Sequence, residues 1–365
     1  MNITVVTRNL AAGGAERVIV QLLGEWSKEN ECSLVLLNNE NDFYNIPSSV
    51  KVTRIGKISN NPVLDKLFRY WKVRNAIVKE KADVVLAMPE EIGIYVIPSM
   101  AFTNIPVVVS ERNNPWVMPN KKITRVLRKA FYPFASGLIF QTKGASSFFS
   151  NRIQDKGAIL PNPLDISRIP EPYCGERKKV IVGAGRLEKQ KNFSLLIEAF
   201  AGFYKKNKDY ELHIFGDGSM KEELIELSEK LLPKGVVRLL GNNSDLLNTI
   251  KDCAIFVLSS DYEGVPNVLI EAMSIGMPVI STDCAPGGAR ELIINNENGV
   301  LVETNNRAQL ALAMNELVHN KVLSDKISQN APEIKEELAS NIVADKWLSY
   351  LKHITGKKSG NEKSI

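Results

Sequence analysis

Apolar residues in the first half of the chain fall in short unbroken runs separated by stretches of helical periodicity. Ile3–Thr7 is a short apolar strand. Gly13-Gly14 ends it, and Ala15–Trp26 repeats apolar positions at helical spacing. Ser33–Leu37, Val50–Ile55, Val84–Met88, Val107–Ser110 and Leu138–Gln141 predict further strands. Several are continuous Val/Ile/Leu runs, the pattern of parallel strands buried on both faces. Leu160 to Lys179 holds four prolines and no periodicity, which predicts a linker.

The alternation then restarts. Val180–Gly183, Glu211–Phe215, Val236–Leu240, Ile255–Ser259, Pro278–Thr282 and Val300–Val302 read as strands, with helices at Phe193–Tyr204 and Met220–Leu231. Two successive βα arrays predict an α/β protein of two doubly wound, Rossmann-like domains, 1–165 and 175–340, facing across a cleft. Ligands in such sheets bind at the carboxyl ends of the strands. The last periodic segment, about Ile342 to His353, is expected to cross back to the first domain, and the polar 356–365 to be a disordered tail.

A length of 365 residues suits two cores, and 44% apolar with 24% charged residues is ordinary for a globular protein. Met1-Asn2-Ile3-Thr4 lacks the charged and apolar regions of a signal peptide. The best apolar run, Ile92 to Phe102, is too short to span a bilayer and contains Pro98. The expectation is a cytoplasmic protein. Cys32, Cys174, Cys253 and Cys284 are scattered without a C-x-x-C, which argues against a disulfide frame and a zinc site. His213, His319 and His353 lack ligand spacing, so no metal is expected. Residues 1–165 carry 21 Lys/Arg against 14 Asp/Glu, and the remainder 25 against 27. The basic character therefore belongs to the first half, which should meet any negatively charged partner.

Candidate chemistry lies at strand ends. Glu263 and Glu271 stand eight residues apart across Gly264 and Pro266, before and within a helix-forming run. Pro266 suits the first helical position, and the free N–H groups of the helix start favour an anion. One carboxylate near a phosphate's attached group, one on the nucleoside side and amides between them suit a nucleotide-sugar. Gly183-Ala184-Gly185-Arg186-Leu187-Glu188-Lys189-Gln190-Lys191 places a guanidinium and an ammonium before a helix, where they can clamp a diphosphate; a solvated charged loop is the other reading. Glu188 stands where a dinucleotide fingerprint needs its third glycine, which argues against a nicotinamide cofactor. Gly13-Gly14 allows close backbone approach to a ligand, or is a plain strand–helix turn.

Gly13-Gly14-Ala15-Glu16, Gly185-Arg186-Leu187 with Lys191, and Glu263-x7-Glu271 together resemble the family 4 retaining glycosyltransferases of the GT-B fold, along nearly the whole chain to Trp347. Thr282-Asp283-Cys284, Gly287-Gly288 and Arg290-Glu291 resemble the following segment in enzymes that build bacterial surface polysaccharides from UDP-sugars. The resemblance implies that Arg186 and Lys191 hold the donor diphosphate and that Glu263 contacts sugar hydroxyls. It puts the amides of Asn267 and Val268 near the phosphate, Glu271 on the ribose hydroxyls and the Gly14 N–H on the donor phosphate. Gly216 and the turn with Asn242 and Asn243 lie where the base could stack. It implies no cofactor and no metal. Many relatives carry a His at the end of the fifth strand; here the strand ends Ser110-Glu111-Arg112-Asn113-Asn114-Pro115. Glu111 or Arg112 would take over sugar contact or acceptor orientation, unless this is only a strand-end turn.

Leu64, Leu67, Phe68 and Trp71 fall on one helical stripe, with Lys66, Arg69, Lys72, Arg74, Lys79 and Lys81 around and after it. Ile123, Val126, Leu127 and Phe131 repeat the design with Lys121, Lys122, Arg125, Arg128 and Lys129. Each helix could bury its stripe in the core. Two such helices in one domain favour docking on an anionic bilayer, where a lipid-linked acceptor would be presented. No motif for nucleic acid accompanies the charge. The combined expectation is a hexosyltransferase moving a hexose or N-acetylhexosamine from a UDP-sugar to a lipid-linked or growing glycan at the inner face of the membrane. A nucleotide-sugar epimerase, a phosphorylase or a non-catalytic membrane adaptor is the alternative.

Overall fold

The computed structural model describes residues 1–356 apart from Ala12, Asn41 and Ile58, so the expected tail lies, Gly356 aside, outside the described residues. The chain divides into two units, Met1–Pro163 with the segment from Leu338 onward, and Leu164–Glu337.

The first unit is built on seven parallel strands, β1 (Asn2–Thr7), β2 (Glu31–Leu36), β3 (Lys51–Arg54), β4 (Val84–Ala87), β5 (Val107–Ser110), β6 (Gly137–Phe140) and β7 (Gly157–Ile159), ordered β3-β2-β1-β4-β5-β6-β7. The order reverses between β1 and β4, so the carboxyl ends of those strands open the crevice where such sheets take ligands. Strands β4, β5 and β6 are buried along their whole length, which is why they read as unbroken apolar runs. The edge strand β3 is mostly exposed and covers only the middle of the predicted Val50–Ile55. The helices are α1 (Gly14–Trp26), α2 (Pro62–Lys79), α3 (Glu90–Ser99), α4 (Lys122–Phe131), α5 (Lys143–Ser147) and α6 (Asn151–Gln154).

Helix α3 and strand β7 are among the elements that the sequence pattern does not predict. Helix α3 occupies most of the apolar run weighed above only as a membrane span. It is buried nearly all round, so it has no polar face to give it periodicity. Its Gly93 lies so close to β5 that an added Cβ would stand 2.8 Å from the Val109 methyls. Strand β7 has three residues, too few for a pattern.

The second unit holds six parallel strands, β8 (Lys178–Ala184), β9 (Glu211–Phe215), β10 (Val237–Gly241), β11 (Cys253–Leu258), β12 (Val279–Thr282) and β13 (Val300–Val302), ordered β10-β9-β8-β11-β12-β13. Around them run α7 (Phe193–Tyr204), α8 (Lys221–Leu231), α9 (Leu246–Ile250), α10 (Asn267–Ser274), α11 (Arg307–His319), α12 (Lys321–Asn330) and α13 (Ile334–Leu338). One face of the sheet packs Leu196, Phe200 and Phe203 against Ile214, Val257 and Met314; the other packs Phe256 against Leu269, Met273 and Met277. The order again reverses at β8 and β11. The proline-rich segment contains one short 3-10 turn, Ile166–Arg168, and β8 begins two residues before the predicted Val180. Arg177 fastens the end of that segment, donating to the carbonyls of Lys251, Cys253 and Gly276.

The chain ends in α14 (Ser340–Thr355), which belongs to the first unit. Trp26 Nε1 donates to the Ala344 carbonyl, Trp347 Nε1 to Pro161, and Tyr350 Oη to Leu138 and Lys156. Trp347 is fully buried. Hydrogen bonds from three aromatic side chains and this apolar burial hold the last helix where its sequence alone placed only a periodic stripe.

Candidate functional site

In the second unit, the carboxyl ends of β8 and β11 bring together the charged residues that the sequence singled out. Lys191 Nζ donates to Glu263 Oε1 across 2.5 Å, and Ser260 Oγ donates to the same oxygen at 2.8 Å. Both charged side chains are largely buried, at 13% and 11% exposure, so a low dielectric strengthens the pair. Backbone bonds fix the two loops to each other. Asp261 N donates to Gln190 O, Gln190 Nε2 to Tyr262 O, and Ser259 Oγ to Lys191 O. Lys191, expected to hold the donor diphosphate, is seated in this ion pair with Glu263. Ser260 was not foreseen, and only its place at the end of an apolar strand could have suggested it.

Arg186, five residues before Lys191, is exposed, and its guanidinium makes no hydrogen bond or ion pair among the described residues, while its carbonyl accepts from Glu188 N. The loop that carries it is shaped by glycine. At Gly216 (φ 131°) an added Cβ would stand 1.9 Å from the Gly185 carbonyl oxygen, so only glycine lets the end of β9 meet the Arg186 turn. Gly216 N also donates to Gly241 O, closing the ends of β9 and β10. In the next turn Asn243 is committed to its own loop, donating to Thr249 Oγ1 and accepting from Asp245 N, while Asn242 is exposed. The expected use of Asn243 toward a base therefore competes with its role in that turn.

Helix α10 begins at Asn267. Pro266 is the extended residue before it (φ −80°, ψ 110°), one position earlier than predicted. The Pro266 carbonyl takes the N–H groups of Leu269 and Ile270, so the amides of Asn267 and Val268 form the first turn ahead of them. Glu271 is buried on the next turn. An anion at this helix start would meet amide dipoles and the edge of the Lys191–Glu263 pair.

In the first unit, Gly13 and Gly14 open α1 at the end of β1, with Tyr44 Oη donating to the Gly13 carbonyl. Beside them, at the ends of β4 and β5, is a buried polar network. Glu111 accepts from Arg128 Nη1 at 2.9 Å and from Tyr132 Oη at 2.8 Å. Arg128 also donates to the Met118 and Pro115 carbonyls. Burial first, and the neighbouring Glu90 second, push the Glu111 carboxyl up to about 8, with Arg128 opposing. Burial raises Glu90 as well. The sequence suggested Glu111 for sugar contact. With both oxygens engaged and the side chain 1% exposed, it acts as an internal anchor. Arg112 differs. Its guanidinium bonds Asn162 and stands 5.7 Å from the Trp347 ring, and its N–H donates to Glu90 Oε2 at 3.3 Å. Desolvation pulls Arg112 down to about 10, with Glu90 and Glu16 opposing. Arg128 and Tyr132 were not predicted as partners of this strand end; Arg128 had been assigned to the basic face of α4.

The stripe of α2 faces solvent. Leu67 and Trp71 are each 60% exposed, with Leu64 and Phe68 exposed beside them, while Val73 and Ile77 turn inward. The reading in which this stripe fills the core is thereby excluded. Arg69 and Arg74 bond within the unit, so among the described side chains the exposed cations around this stripe are Lys72, Lys79 and Lys81; the side chain of Lys66 lies outside the described residues. On α4, Ile123 and Val126 are exposed with Lys121, Lys122 and Lys129, but Leu127 and Phe131 are half-buried. Among the described residues no helix is long and apolar enough to cross a membrane.

Residues 170–334 match the family described as glycosyl transferases group 1. An α-1,4-N-acetylgalactosaminyltransferase of Campylobacter jejuni, named for an undecaprenol-diphosphate-linked glycan, is 26% identical over 97% of this chain and 99% of its own. A second Campylobacter jejuni enzyme, a 4-α-N-acetylgalactosaminyltransferase also named for a diphospho-undecaprenol glycan, is 29% identical over 94% of this chain and 97% of its own. The crystal structure of HepE of Anabaena with UDP and glucose superimposes with a TM-score of 0.81 at 18% identity, over 96% of this chain and 99% of that one. The second unit of the chain belongs to the group 1 glycosyl transferases, and the chain has the GT-B fold, with bacterial surface-glycan glycosyltransferases among its relatives.

Proposed function

We propose that this protein is a retaining, metal-independent hexosyltransferase that moves a hexose or N-acetylhexosamine from a UDP-sugar to a lipid-linked or growing surface glycan, at the cytoplasmic face of the membrane. The observation that carries the proposal is the Lys191–Glu263 pair at the carboxyl ends of β8 and β11, with Arg186 exposed beside it. Two cations there can neutralise a departing diphosphate, the task a divalent ion performs in other transferases. Glu263, steadied by Ser260, suits the hydroxyls of the transferred sugar. The Asn267 and Val268 amides suit a phosphate, Glu271 the ribose, and Gly14 a donor phosphate oxygen. Gly216 and Asn242 suit the base side.

In this mechanism the acceptor oxygen bonds to the anomeric carbon as the bond from that carbon to the UDP oxygen breaks on the same face. The acceptor proton passes to the leaving phosphate, and configuration is kept. Orientation and charge stabilisation are the protein's contribution. The two Campylobacter jejuni relatives support the acceptor class, and HepE with UDP and glucose supports the donor class.

Membrane docking belongs to the same reading. Leu64, Leu67, Phe68 and Trp71 are exposed together, with exposed lysines on α2 and α4. Such a surface suits an anionic headgroup layer.

The test is a thermal-shift series with UDP, GDP, ADP and TDP, then UDP-sugars, followed by NMR of the product's anomeric centre with and without EDTA. Selective stabilisation by UDP, a retained configuration and indifference to EDTA are expected. No stabilisation by UDP, an inverted product or loss of turnover in EDTA overturns the proposal.

A further inference from the structure

The loop between β5 and α4 presents an aromatic pair that none of the roles above uses. Trp116 is 48% exposed and Phe148 37% exposed, with ring centroids 5.2 Å apart at an interplanar angle of 79°. The pair is braced from behind. Arg128 stands 4.8 Å from the Phe148 ring and 5.4 Å from Phe149, and Phe148 meets Phe149 edge-on at 5.0 Å. The backbone is braced as well. Trp116 N donates to Asn114 Oδ1, and Val117 N and Met118 N donate to Asn114 O. Arg128 holds the Pro115 and Met118 carbonyls, and Arg125 holds those of Val117 and Pro119. Every residue from Asn114 to Pro119 thus has a hydrogen-bonded backbone group.

We propose that Trp116, backed by Phe148, is a stacking platform for a pyranose ring of the acceptor glycan. The proposal rests on the glycosyltransferase reading above. A pyranose presents a face of C–H bonds with partial positive charge, which complements the negative face of an indole. Its hydroxyls at the rim need polar partners, and the half-buried Arg112 and Asn113 stand four and three residues before the indole. A ring fixed before binding loses little entropy on contact, so bracing from two arginines adds to affinity. A side chain that only dips into a fluid bilayer gains nothing from such bracing. The exposed stripe of α2 has the other character, with aliphatic and aromatic residues beside lysines. Trp116 also follows β5, so it lies at the carboxyl edge of the sheet with Arg112 and the Gly13-Gly14 turn, where ligands bind.

The experiment compares the full chain with Trp116→Leu, Trp116→Phe and Trp71→Leu. Binding of free hexose and N-acetylhexosamine disaccharides is read by saturation-transfer NMR, with the UDP thermal shift and flotation on vesicles of anionic lipid read in parallel. Trp116→Leu should weaken disaccharide binding about tenfold, while Trp116→Phe and Trp71→Leu keep it and all variants keep the UDP shift. Undiminished disaccharide binding by Trp116→Leu overturns the platform, as does absence of disaccharide binding by the unaltered chain. Loss of vesicle flotation by Trp116→Leu with disaccharide binding intact assigns the indole to the bilayer and also overturns it. A missing UDP shift in the unaltered chain, with disaccharide binding still dependent on Trp116, removes the donor reading and leaves the platform standing.

Discussion

Lys191 and Glu263 lie 72 residues apart in sequence, yet their side chains meet at 2.5 Å, with Ser260 bonded to the same carboxylate oxygen. The pair joins the two loops that leave the central strands of the second sheet. It predicts an asymmetric mutational response. Lys191→Met leaves a largely buried carboxylate without its cation and should cost about 3 kcal/mol in urea unfolding. Lys191→Met with Glu263→Gln should recover most of that loss. Equal destabilisation by the single and double variants would show that the pair is not coupled.

The Arg186 guanidinium is exposed and makes no hydrogen bond or ion pair among the described residues, so truncating it should leave stability nearly unchanged. In the proposed mechanism its charge is needed as UDP departs. Arg186→Ala should therefore lower turnover on the order of 10²-fold, with an unaltered melting temperature. Near-normal turnover in the folded variant refutes that role.

Glu111 gives stability a pH signature. Burial raises its carboxyl from 4.5 to about 8, so between those values the folded chain holds a proton that the unfolded chain has released. Its contribution is complete below the unfolded value and is lost as pH rises through the folded one. Stability should decline between pH 5 and 8, and Glu111→Gln should flatten that decline. Urea midpoints across this range provide the measurement; an equal slope in the variant removes Glu111 as the cause.

Gly288 is required for close approach. A Cβ there would stand 1.5 Å from the Gly264 carbonyl oxygen, next to Glu263. The contact is backbone, so it cannot be relieved by a rotamer change. Gly288→Ala should shift the Glu263 loop, weaken UDP binding in thermal-shift titration and lower stability by about 1–3 kcal/mol. Gly202→Ala, whose Cβ would meet only the Ala311 methyl at 3.6 Å, is the control and should leave UDP binding intact.

The α2 stripe yields a surface prediction. Leu67→Glu with Trp71→Glu replaces exposed apolar area with negative charge. Flotation with anionic vesicles should fall several-fold while the UDP thermal shift stays unchanged. Unaltered flotation would place the bilayer contact elsewhere.

The sequence by itself determined the parallel sheets, because strands buried on both faces leave unbroken Val/Ile/Leu runs whatever surrounds them. It also exposed the charged residues of the second unit, because Gly185, Gly216 and Pro266 mark where strands end and side chains emerge. Tertiary structure decided what those charges do. Lys191 and Arg186 look alike in one loop, but only the approach of β11 pairs one and leaves the other exposed. Arg128 lies on a helix whose spacing reads as a basic surface. It is buried against Glu111, 17 residues away, which accepts its hydrogen bond. The stripe of α2 shows the reverse. Periodicity found the apolar face but could not say whether it met core or solvent, since the same spacing serves both until the neighbouring helices are in place.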